Sequence, residues 1–427
     1  MELQIPKLRQ GPTSRDSWSG ADGVSGRCSR WCSYDGMNTM KDTIRRRIDK
    51  LEPDLVALRR DLHRHPELGH QEHRTAGMVA DRMTALGLDV RTGVGSTGVL
   101  ADLAGSEPGA TLLIRADMDA LPVTETTGHD FASSTPGVMH ACGHDAHVAA
   151  LVGAATLLTE SRGDLAGRIR FCFQPAEELL DGASAMISDG AMDGVDHVLG
   201  AHVFSIAPYG TVVSMAGPML AGADAFELRI VGKAGHGGMP QLSVDPIFAA
   251  AQVVTALQSI VARETRPGEP LVVSVAAIEG GRAFNVVVDE VTLRGTIRWF
   301  SPAERERALA RIPVIARGVC DALRAEAEFT IVGSVPVTAN VAEHTDVLES
   351  AVAQTGRAVP VNPGPITGSE DFSRFLELAP GAFFGVGAGG PEAAPHHHHA
   401  FDIDERAIAL TAEIFTRTAL RKLAPAG

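Results

Sequence analysis

The sequence lacks the features that would assign it to a secreted or membrane class. Its five cysteines, at positions 28, 32, 142, 172 and 320, are too few and too scattered for a disulfide framework. No stretch approaches the ~20 uninterrupted apolar residues of a membrane span, and the first 40 residues lack the apolar core of a secretory signal. These absences favour a cytoplasmic protein in a reducing compartment.

The sequence also lacks an excess of positive charge. Against 38 Lys and Arg stand 52 Asp and Glu, a formal net charge of -14, and no basic run offsets it. This balance argues against nucleic acid and anionic membrane as partners. The content of 44% hydrophobic and 21% charged residues is ordinary for a globular protein, and 427 residues indicate two domains rather than one.

The pattern along the chain predicts an α/β domain. Residues 1–40 are polar and Gly/Ser-rich, without a period, and we expect no fixed structure there. From Lys41 onward apolar residues recur every three or four positions, as in an amphipathic helix. Short β-rich runs then alternate with helical ones as far as about residue 221. Such alternation predicts a mainly parallel sheet covered by helices on both faces.

The character of the sequence changes near Gly222. Residues 224–231, 271–278, 286–297 and 328–332 look like strands, and 245–262 and 302–323 look like helices. Two strand-helix-strand groups in succession indicate an α+β sandwich with an antiparallel sheet. Residues 222–335 are therefore predicted to be a domain inserted into a discontinuous one, built from residues 41–221 and 336–427.

The first candidate site is the run Cys142-Gly143-His144. A thiolate and an imidazole separated by one flexible Gly can reach a common point, which is the spacing of metal ligands. The run lies between a predicted strand and a predicted helix, where α/β folds bind their ligands. A buried structural Cys beside a solvent-exposed His explains the same three residues, and two residues alone do not decide between these interpretations.

Further ligand-type side chains follow other apolar runs. Glu177 and Glu178 come just after a predicted strand, His202 lies among small apolar residues, and His396–His399 precede the last helix. Taken singly, these could be a solvated helix start, a core His and a surface loop. One Cys, several His and two adjacent carboxylates at strand ends would, however, converge in a parallel sheet and could hold two divalent ions.

Eight motifs give the chain a specific resemblance. They are Leu62-His-Arg-His-Pro-Glu67, Arg115-Ala-Asp-Met-Asp-Ala-Leu-Pro122, His140-Ala-Cys-Gly-His-Asp145, Gln174-Pro-Ala-Glu-Glu178, Gly200-Ala-His202, Gly232-Lys-Ala-Gly-His-Gly-Gly238, Gly368-Ser-Glu-Asp-Phe372 and the His run before Phe401. In this order they resemble the M20 metallopeptidase/aminoacylase superfamily. The resemblance is to its amidohydrolase branch, which includes hippurate hydrolases and plant auxin-amino-acid conjugate hydrolases.

The resemblance implies a dinuclear metal centre with Mn²⁺ or Zn²⁺, and Co²⁺ or Ni²⁺ as further possibilities. The implied ligands are Cys142, His144, Glu178, His202 and His397, with the Cys142 thiolate as the bridge. The family ligand in the last motif lies four residues before the aromatic residue, which selects His397. The family often has Pro at the position of His399, so His396 and His398 stay open as alternatives.

Other roles are implied in the same way. Glu177 would be the general base, and Asp119 would orient a ligand His. At the position of Asp117, related dinuclear peptidases have a His ligand, and here His144 is expected to supply the imidazole. The implied reaction is hydrolysis of the amide bond of a small N-acyl amino acid.

The resemblance implies that the inserted domain serves as a lid and as the surface of a homodimer. His236, in a Gly-rich setting, would stabilise an oxyanion in an active site, either its own or that of the partner subunit. Asn285 would contact the substrate. Arg294 and Arg298 share one face of a predicted strand, and cross-strand pairing explains them as well as substrate binding does.

Two alternatives belong to other classes of protein. One is a hydrolase in which Cys142 is the nucleophile, which leaves both carboxylates, His202 and the His run without a role. The other is a metal-occupied binding protein without turnover, although it would retain both the ligands and the general base.

Overall fold

The structure is a computed structural model that describes residues 34–425, with side chains from residue 43. Cys28, Cys32 and residues 1–33, which belong to the segment expected to lack fixed structure, lie outside the described residues. Residues 34–40 of that segment belong to the first helix, so the expected boundary at residue 41 is wrong by seven positions.

Nine helices and sixteen strands make up the described part of the chain. The helices are α1 (Tyr34–Arg64), α2 (His73–Ala85), α3 (His144–Glu160), α4 (Gly182–Ser188), α5 (Pro246–Ser259), α6 (Pro302–Ala322), α7 (Ala342–Thr355), α8 (Ser373–Leu376) and α9 (Arg406–Lys422). The strands are β1 (Asp89–Val94), β2 (Gly98–Ala104), β3 (Glu107–Asp117), β4 (Ala166–Gln174), β5 (His197–Pro208), β6 (Thr211–Val213), β7 (Gly217–Leu220), β8 (Gly222–Val231), β9 (Gly235–His236), β10 (Leu271–Glu279), β11 (Val286–Val287), β12 (Glu290–Trp299), β13 (Glu326–Val335), β14 (Thr338–Asn340), β15 (Val359–Val361) and β16 (Gly381–Gly389).

Eight strands form one large sheet in the order β1-β2-β4-β3-β5-β16-β6-β15. The central strands β4, β3, β5 and β16 are parallel to their neighbours within this group, whereas β1 and β2 pair antiparallel at one edge and β6 pairs antiparallel with β16. The predicted α/β sheet is therefore confirmed, with antiparallel pairs towards its edges.

The central strands are buried on both faces, as their nearly continuous apolar sequences require. In β3, Leu112 and Ile114 pack into a core shared with α1, α3 and α9. Leu113, between them, faces the opposite side, where Met186 of α4 and Phe375 of α8 lie. The sheet therefore has helices on both faces, and its strand ends are the open positions for a site.

Residues 222–335 build a second sheet, of four antiparallel strands in the order β10-β12-β8-β13. One face of this sheet packs on α5 and α6, and Phe226, Leu228 and Ile230 alternate into that core. The predicted continuous strand 286–297 is wrong, because residues 286–287 leave the sheet and pair with His236 in a separate two-stranded ribbon.

The extended helix Pro246–Glu264 is the one described helix that is long and apolar enough to cross a membrane, and a third of its most apolar window (33%) is buried here.

Candidate metal centre and active site

The ends of neighbouring parallel strands form the base of the site. Asp117 at the end of β3 lies opposite Gln174 at the end of β4. Arg115 lies opposite Gly200 of β5, two residues before His202. The carboxyl ends of β3 and β4 therefore lie side by side, next to the part of β5 that carries His202, at the edge where open α/β sheets bind ligands.

A glycine shapes the turn that carries the first two candidate ligands. Gly143 has φ of 91° and precedes α3, so Cys142 and His144 leave the same turn. A Cβ atom on Gly143 would lie 2.4 Å from Cγ2 of Val203. Only glycine therefore fits here, both because of its conformation and because of the neighbouring strand.

His144 makes hydrogen bonds through only one of its two ring nitrogens among the described residues. Its Nδ1 lies 2.9 Å from the backbone oxygen and 3.2 Å from the carboxylate of Asp119. Burial alone would lower the pKa of His144, but the charges of Asp117 and Asp119 raise it to about 10. Nε2 of His144 and Oε1 of Glu178, 3.9 Å apart, are buried and make no hydrogen bond among the described residues, although Asp117 Oδ2 lies 3.4 Å from the first atom and His397 Nε2 lies 3.3 Å from the second.

The five predicted ligands lie together. Sγ of Cys142 is 3.4 Å from Nε2 of His202, and Nε2 of His397 is 3.3 Å from Oε1 of Glu178. Three sets each have their ligand atoms within 4.8 Å of one another: Cys142, His144 and His202; Cys142, Glu178 and His397; His144, Glu177 and Glu178. Sulfur, imidazole and carboxylate donors suit divalent cations of the zinc and manganese type. The two buried unpaired atoms support that fit, since buried polar atoms are normally satisfied.

The His run contains two residues that approach the cluster. His397 has a left-handed backbone (φ 66°), which costs free energy for a residue other than glycine and turns its ring towards Glu178. His396 places Nδ1 3.7 Å from Sγ of Cys142, and burial is the largest cause that lowers its pKa to about 4. His398 accepts a hydrogen bond from the backbone of its own turn. Of the three alternatives, His398 is therefore the one aimed away from the cluster.

Glu177 is held in a tight turn with the carboxylate buried. The 3₁₀ turn Glu177–Leu179 is flanked by Ala176 and Leu180, both in the left-handed region (φ 52° and 62°). Burial raises the pKa of Glu177 well above its usual range, and the neighbouring carboxylates of Glu370 and Glu178 raise it further. A carboxyl group with a raised pKa is a better proton acceptor than an exposed one.

A buried arginine organises the carboxylates behind Glu177, and residue patterns alone gave it no role. Arg115 pairs with Asp117 at 2.8 Å, Glu370 at 2.9 Å and Asp371 at 3.0 Å. All four side chains are buried. The motifs containing these residues were visible in the sequence, but Glu370 and Asp371 lie about 255 positions from Arg115, so no local spacing could indicate the pairing.

The sequence patterns also assigned no role to His147. Its Nδ1 is 2.5 Å from Oδ1 of Asp117, and its Nε2 accepts the backbone N–H of Val203 at 2.9 Å. Both ring nitrogens are therefore used within the protein, and this ring braces the end of β3 against β5. The available signal was its position three residues after His144 on one helix face.

Burial is the largest factor that raises the pKa of the Cys142 thiol well above its usual value, and the carboxylates of Glu178 and Glu177 raise it further. A neutral thiol is a poor nucleophile, since the thiolate is the reactive form. The protein groups around Cys142 therefore do not favour the alternative in which this residue attacks the substrate directly.

Residues 113–421 match the sequence profile described as "Peptidase family M20/M25/M40". The chain belongs to this family. The M20 chain is 46% identical over 290 residues to the N-acyl-L-amino acid amidohydrolase of Geobacillus stearothermophilus. The aligned residues cover 68% of this chain and 78% of that protein. It is 38% identical over 376 residues to the N-acetyl-L-cysteine deacetylase of Bacillus subtilis, with coverages of 88% and 90%.

Among solved structures, the M20 chain resembles the Bacillus subtilis YXEP protein, described as a dinuclear metal binding peptidase of the M20 family. The TM-score is 0.75 at 34% identity, covering 88% of this chain and 99% of that one. The predicted resemblance is thereby confirmed. The protein is a metal-dependent hydrolase of the M20 amidohydrolase type.

Two predicted site residues of this M20 enzyme lie away from the cluster. His236 and Asn285 are exposed neighbours on the β9–β11 ribbon, where the N–H of Gly237 donates to the backbone oxygen of Asn285 at 2.8 Å. The ring of His236 accepts a hydrogen bond from Gly238. Within residues 43–425, neither side chain contacts the five candidate ligands. The predicted roles of His236 and Asn285 therefore require a second copy of the chain or a different conformation of this one.

The structure separates the two arginines that the sequence left equivalent. Arg294 pairs with Glu227 at 3.0 Å and Glu279 at 2.7 Å, which is cross-strand pairing at the surface. The half-buried Arg298 contacts the hydroxyl group of Ser369 and has no carboxylate partner among the described residues. Burial lowers the pKa of Arg298, and the charge of Glu177 opposes this effect. Arg298 is therefore a cation near Glu177 that has no carboxylate partner in the described part of the chain.

Proposed function

We propose that the enzyme hydrolyses the amide bond of N-acyl amino acids, releasing a carboxylic acid and a free amino acid. The observation that carries the proposal is the cluster of Cys142, His144, Glu178, His202 and His397 with Glu177 beside it. Two relatives named for N-acyl-L-amino acid and N-acetyl-L-cysteine substrates support this substrate class.

The five clustered residues would hold a pair of divalent cations, Mn²⁺ or Zn²⁺, with Co²⁺ or Ni²⁺ as further possibilities. When bound, such cations lower the pKa of water towards neutrality and polarise a carbonyl group. Asp119 fixes the orientation of two of the holding residues, because its carboxylate faces Nδ1 of His144 and accepts the backbone N–H of Glu178 at 3.0 Å.

Glu177 acts as the general base. Its carboxylate accepts a proton from the attacking water and transfers it to the nitrogen of the leaving amine. Burial and the surrounding carboxylates raise the pKa of Glu177, and the positive charge of Arg115 opposes this effect. The turn between Ala176 and Leu180 keeps the Glu177 carboxylate beside the cluster, while the neighbouring Glu178 faces the other candidate ligands.

Arg298 binds the carboxylate of the amino acid portion. Among the described residues it is a half-buried cation near Glu177 without a carboxylate partner, so an anionic substrate group would provide the missing pairing. The net charge of -14 repels anionic substrates, and a cation in the site would offset this repulsion locally.

His236 and Asn285 act in a homodimer that forms through residues 222–335. Exposed apolar side chains on this segment support such an interface: Met239, Leu242, Ile247, Phe248, Ile278 and Phe284. In that dimer His236 would reach the partner's active site and stabilise the oxyanion.

The test is a chelation and reconstitution assay with a panel of N-acyl amino acids. We expect activity to vanish with chelator and to return with added Mn²⁺ or Zn²⁺, with release of a free amino acid. Activity that persists without metal and is blocked by thiol alkylation would instead support the Cys142 nucleophile. Metal binding without turnover on any substrate would support the binding-protein alternative.

A further inference from the structure

Glu72 stands at the start of α2, but its carboxylate does not cap this helix. Glu67 does so instead, because its two carboxylate oxygens accept the backbone N–H groups of Arg74 and Thr75, each at 2.8 Å. The Glu72 side chain turns into the protein and is completely buried. A buried carboxylate is costly unless it has hydrogen-bond donors, so its partners indicate what it does.

One partner belongs to the turn that carries the general base. Oε1 of Glu72 accepts the backbone N–H of Ala176 at 2.9 Å, and Oε2 accepts the hydroxyl group of Thr97 at 2.5 Å. Ala176 immediately precedes Glu177 and has a left-handed backbone with φ of 52°. For an alanine this conformation costs about 1–2 kcal/mol, so a contact outside the turn must help to maintain it.

The loop before Glu72 packs closely on the same turn. A Cβ atom on Gly69 would lie 3.2 Å from Cα of Ala176 and 2.9 Å from Cδ1 of Leu179. The N–H of Ala120, next to Asp119, donates to the backbone oxygen of Glu67 at 2.8 Å. The loop therefore connects the strand end that carries Asp119 with the turn that carries Glu177.

We propose that Glu72 is a positioning residue for the reaction, which holds Ala176 in its left-handed conformation and so directs the Glu177 carboxylate. This inference rests on the proposed role of Glu177 as general base. Without an acceptor at position 72, the N–H of Ala176 is buried and unpaired. The turn then relaxes, and Glu177 moves away from the position in which it accepts a proton.

The test compares Glu72→Met, which has similar length and no acceptor, with Glu72→Gln, whose amide oxygen can still accept the N–H of Ala176. Glu67→Met is the matched control, because it removes a carboxylate from the same loop that bonds only to backbone groups of α2. For each variant, the measurements are kcat and KM on N-acyl amino acids, bound metal, melting temperature and amide hydrogen exchange at residues 176–180.

We expect Glu72→Met to lower kcat by about 10²-fold, the usual effect of a small misplacement of a catalytic group, with KM and metal content unchanged and faster exchange at Ala176. Glu72→Gln should restore most of kcat. Glu67→Met should lower the melting temperature and leave kcat close to wild type. Equal losses of kcat in Glu72→Met and Glu67→Met, or a normal kcat in Glu72→Met, would overturn the inference.

A second variant covers the case in which Glu72→Met does not fold. Thr97→Val removes only the hydroxyl donor to Glu72, and it should lower kcat while Thr97→Ser restores it. An unchanged kcat and unchanged exchange at Ala176 in Thr97→Val would then reject the positioning role. If the wild-type enzyme hydrolyses no N-acyl amino acid, the proposed function fails, and exchange at Ala176 in Glu72→Gln and Glu72→Met still decides whether Glu72 holds the turn.

Discussion

Replacing Arg298 with Met tests whether this side chain recognises the substrate. In the structure its guanidinium is half-buried and contacts Ser369 without a carboxylate partner in the described part of the chain. Arg294, four positions earlier on the same strand, is instead exposed and paired with two glutamates. Arg294→Met is therefore a matched control that removes an arginine from the same strand without touching the site.

The size of the effect follows from the lost hydrogen bonds. A hydrogen bond to a charged group contributes about 1.5–3 kcal/mol, which corresponds to a loss of about 10- to 150-fold in kcat/KM for Arg298→Met. The unfolding free energy should not fall, because burial already lowers the pKa of Arg298 and its removal leaves no carboxylate unpaired. Arg294→Met should leave kcat/KM close to wild type.

The assay compares each N-acyl amino acid with the same compound carrying a primary carboxamide in place of the carboxylate. The loss caused by Arg298→Met should be large for the carboxylate substrate and nearly absent for the carboxamide, since the second has no anion to bind. Equal losses on both compounds would refute the reasoning and make Arg298 a structural residue.

Three further predictions address the base, the ligand turn and the opposite edge of the sheet. Glu177→Gln should retain bound metal, measured by elemental analysis, and lower kcat by about 10²- to 10⁴-fold, the usual contribution of a general base; full activity would exclude that role. Gly143→Ala should lower metal content and melting temperature together, because φ of 91° and Val203 exclude a Cβ atom, and normal metal content would contradict this account. His344 has its pKa lowered to about 4, by burial first, whereas a His in the unfolded chain titrates near ~6.5. Between these values the unfolded state binds more protons, so stability should fall as pH drops from about 6.5 to 4; His344→Gln should reduce this fall in melting temperature, and an identical pH profile would oppose the assignment.

Much of the fold could be predicted because burial on two faces imposes a recognisable sequence. The apolar run Leu112-Leu-Ile114 lies within β3, and the last helix, which the His run was expected to precede, is α9 at Arg406–Lys422. Ligand-type residues could be found for a related reason. In the parallel sheet the ends of β3 and β4 lie beside the middle of β5, so Cys142, Glu178 and His202 belong to one cluster although they lie far apart in sequence.

The features of the fold and of the site that could not be predicted depend on contacts between residues far apart in sequence, which no local pattern contains. Glu72 lies 104 positions from Ala176, and its place at a helix start would normally indicate a cap. The predicted strand 286–297 divides because Val286 pairs with His236 rather than with β8. Arg294 and Arg298 were equivalent by spacing, and they differ only because Glu227 and Glu279 happen to lie opposite the first.

The distribution of satisfied and unsatisfied charges in the structure has a functional meaning. Around the site, buried arginines have partners: Arg59 pairs with Asp145 at 2.8 Å, and Arg115 pairs with three carboxylates. At the site, His144 Nε2 and Glu178 Oε1 are buried without hydrogen-bond partners among the described residues. A buried unpaired polar group costs about 1–3 kcal/mol, and these two atoms lie 3.9 Å apart on side chains that both belong to the cluster of candidate ligands. Their partners are therefore expected to come from outside the chain, and imidazole nitrogen beside carboxylate oxygen is a donor set that a divalent cation would complete.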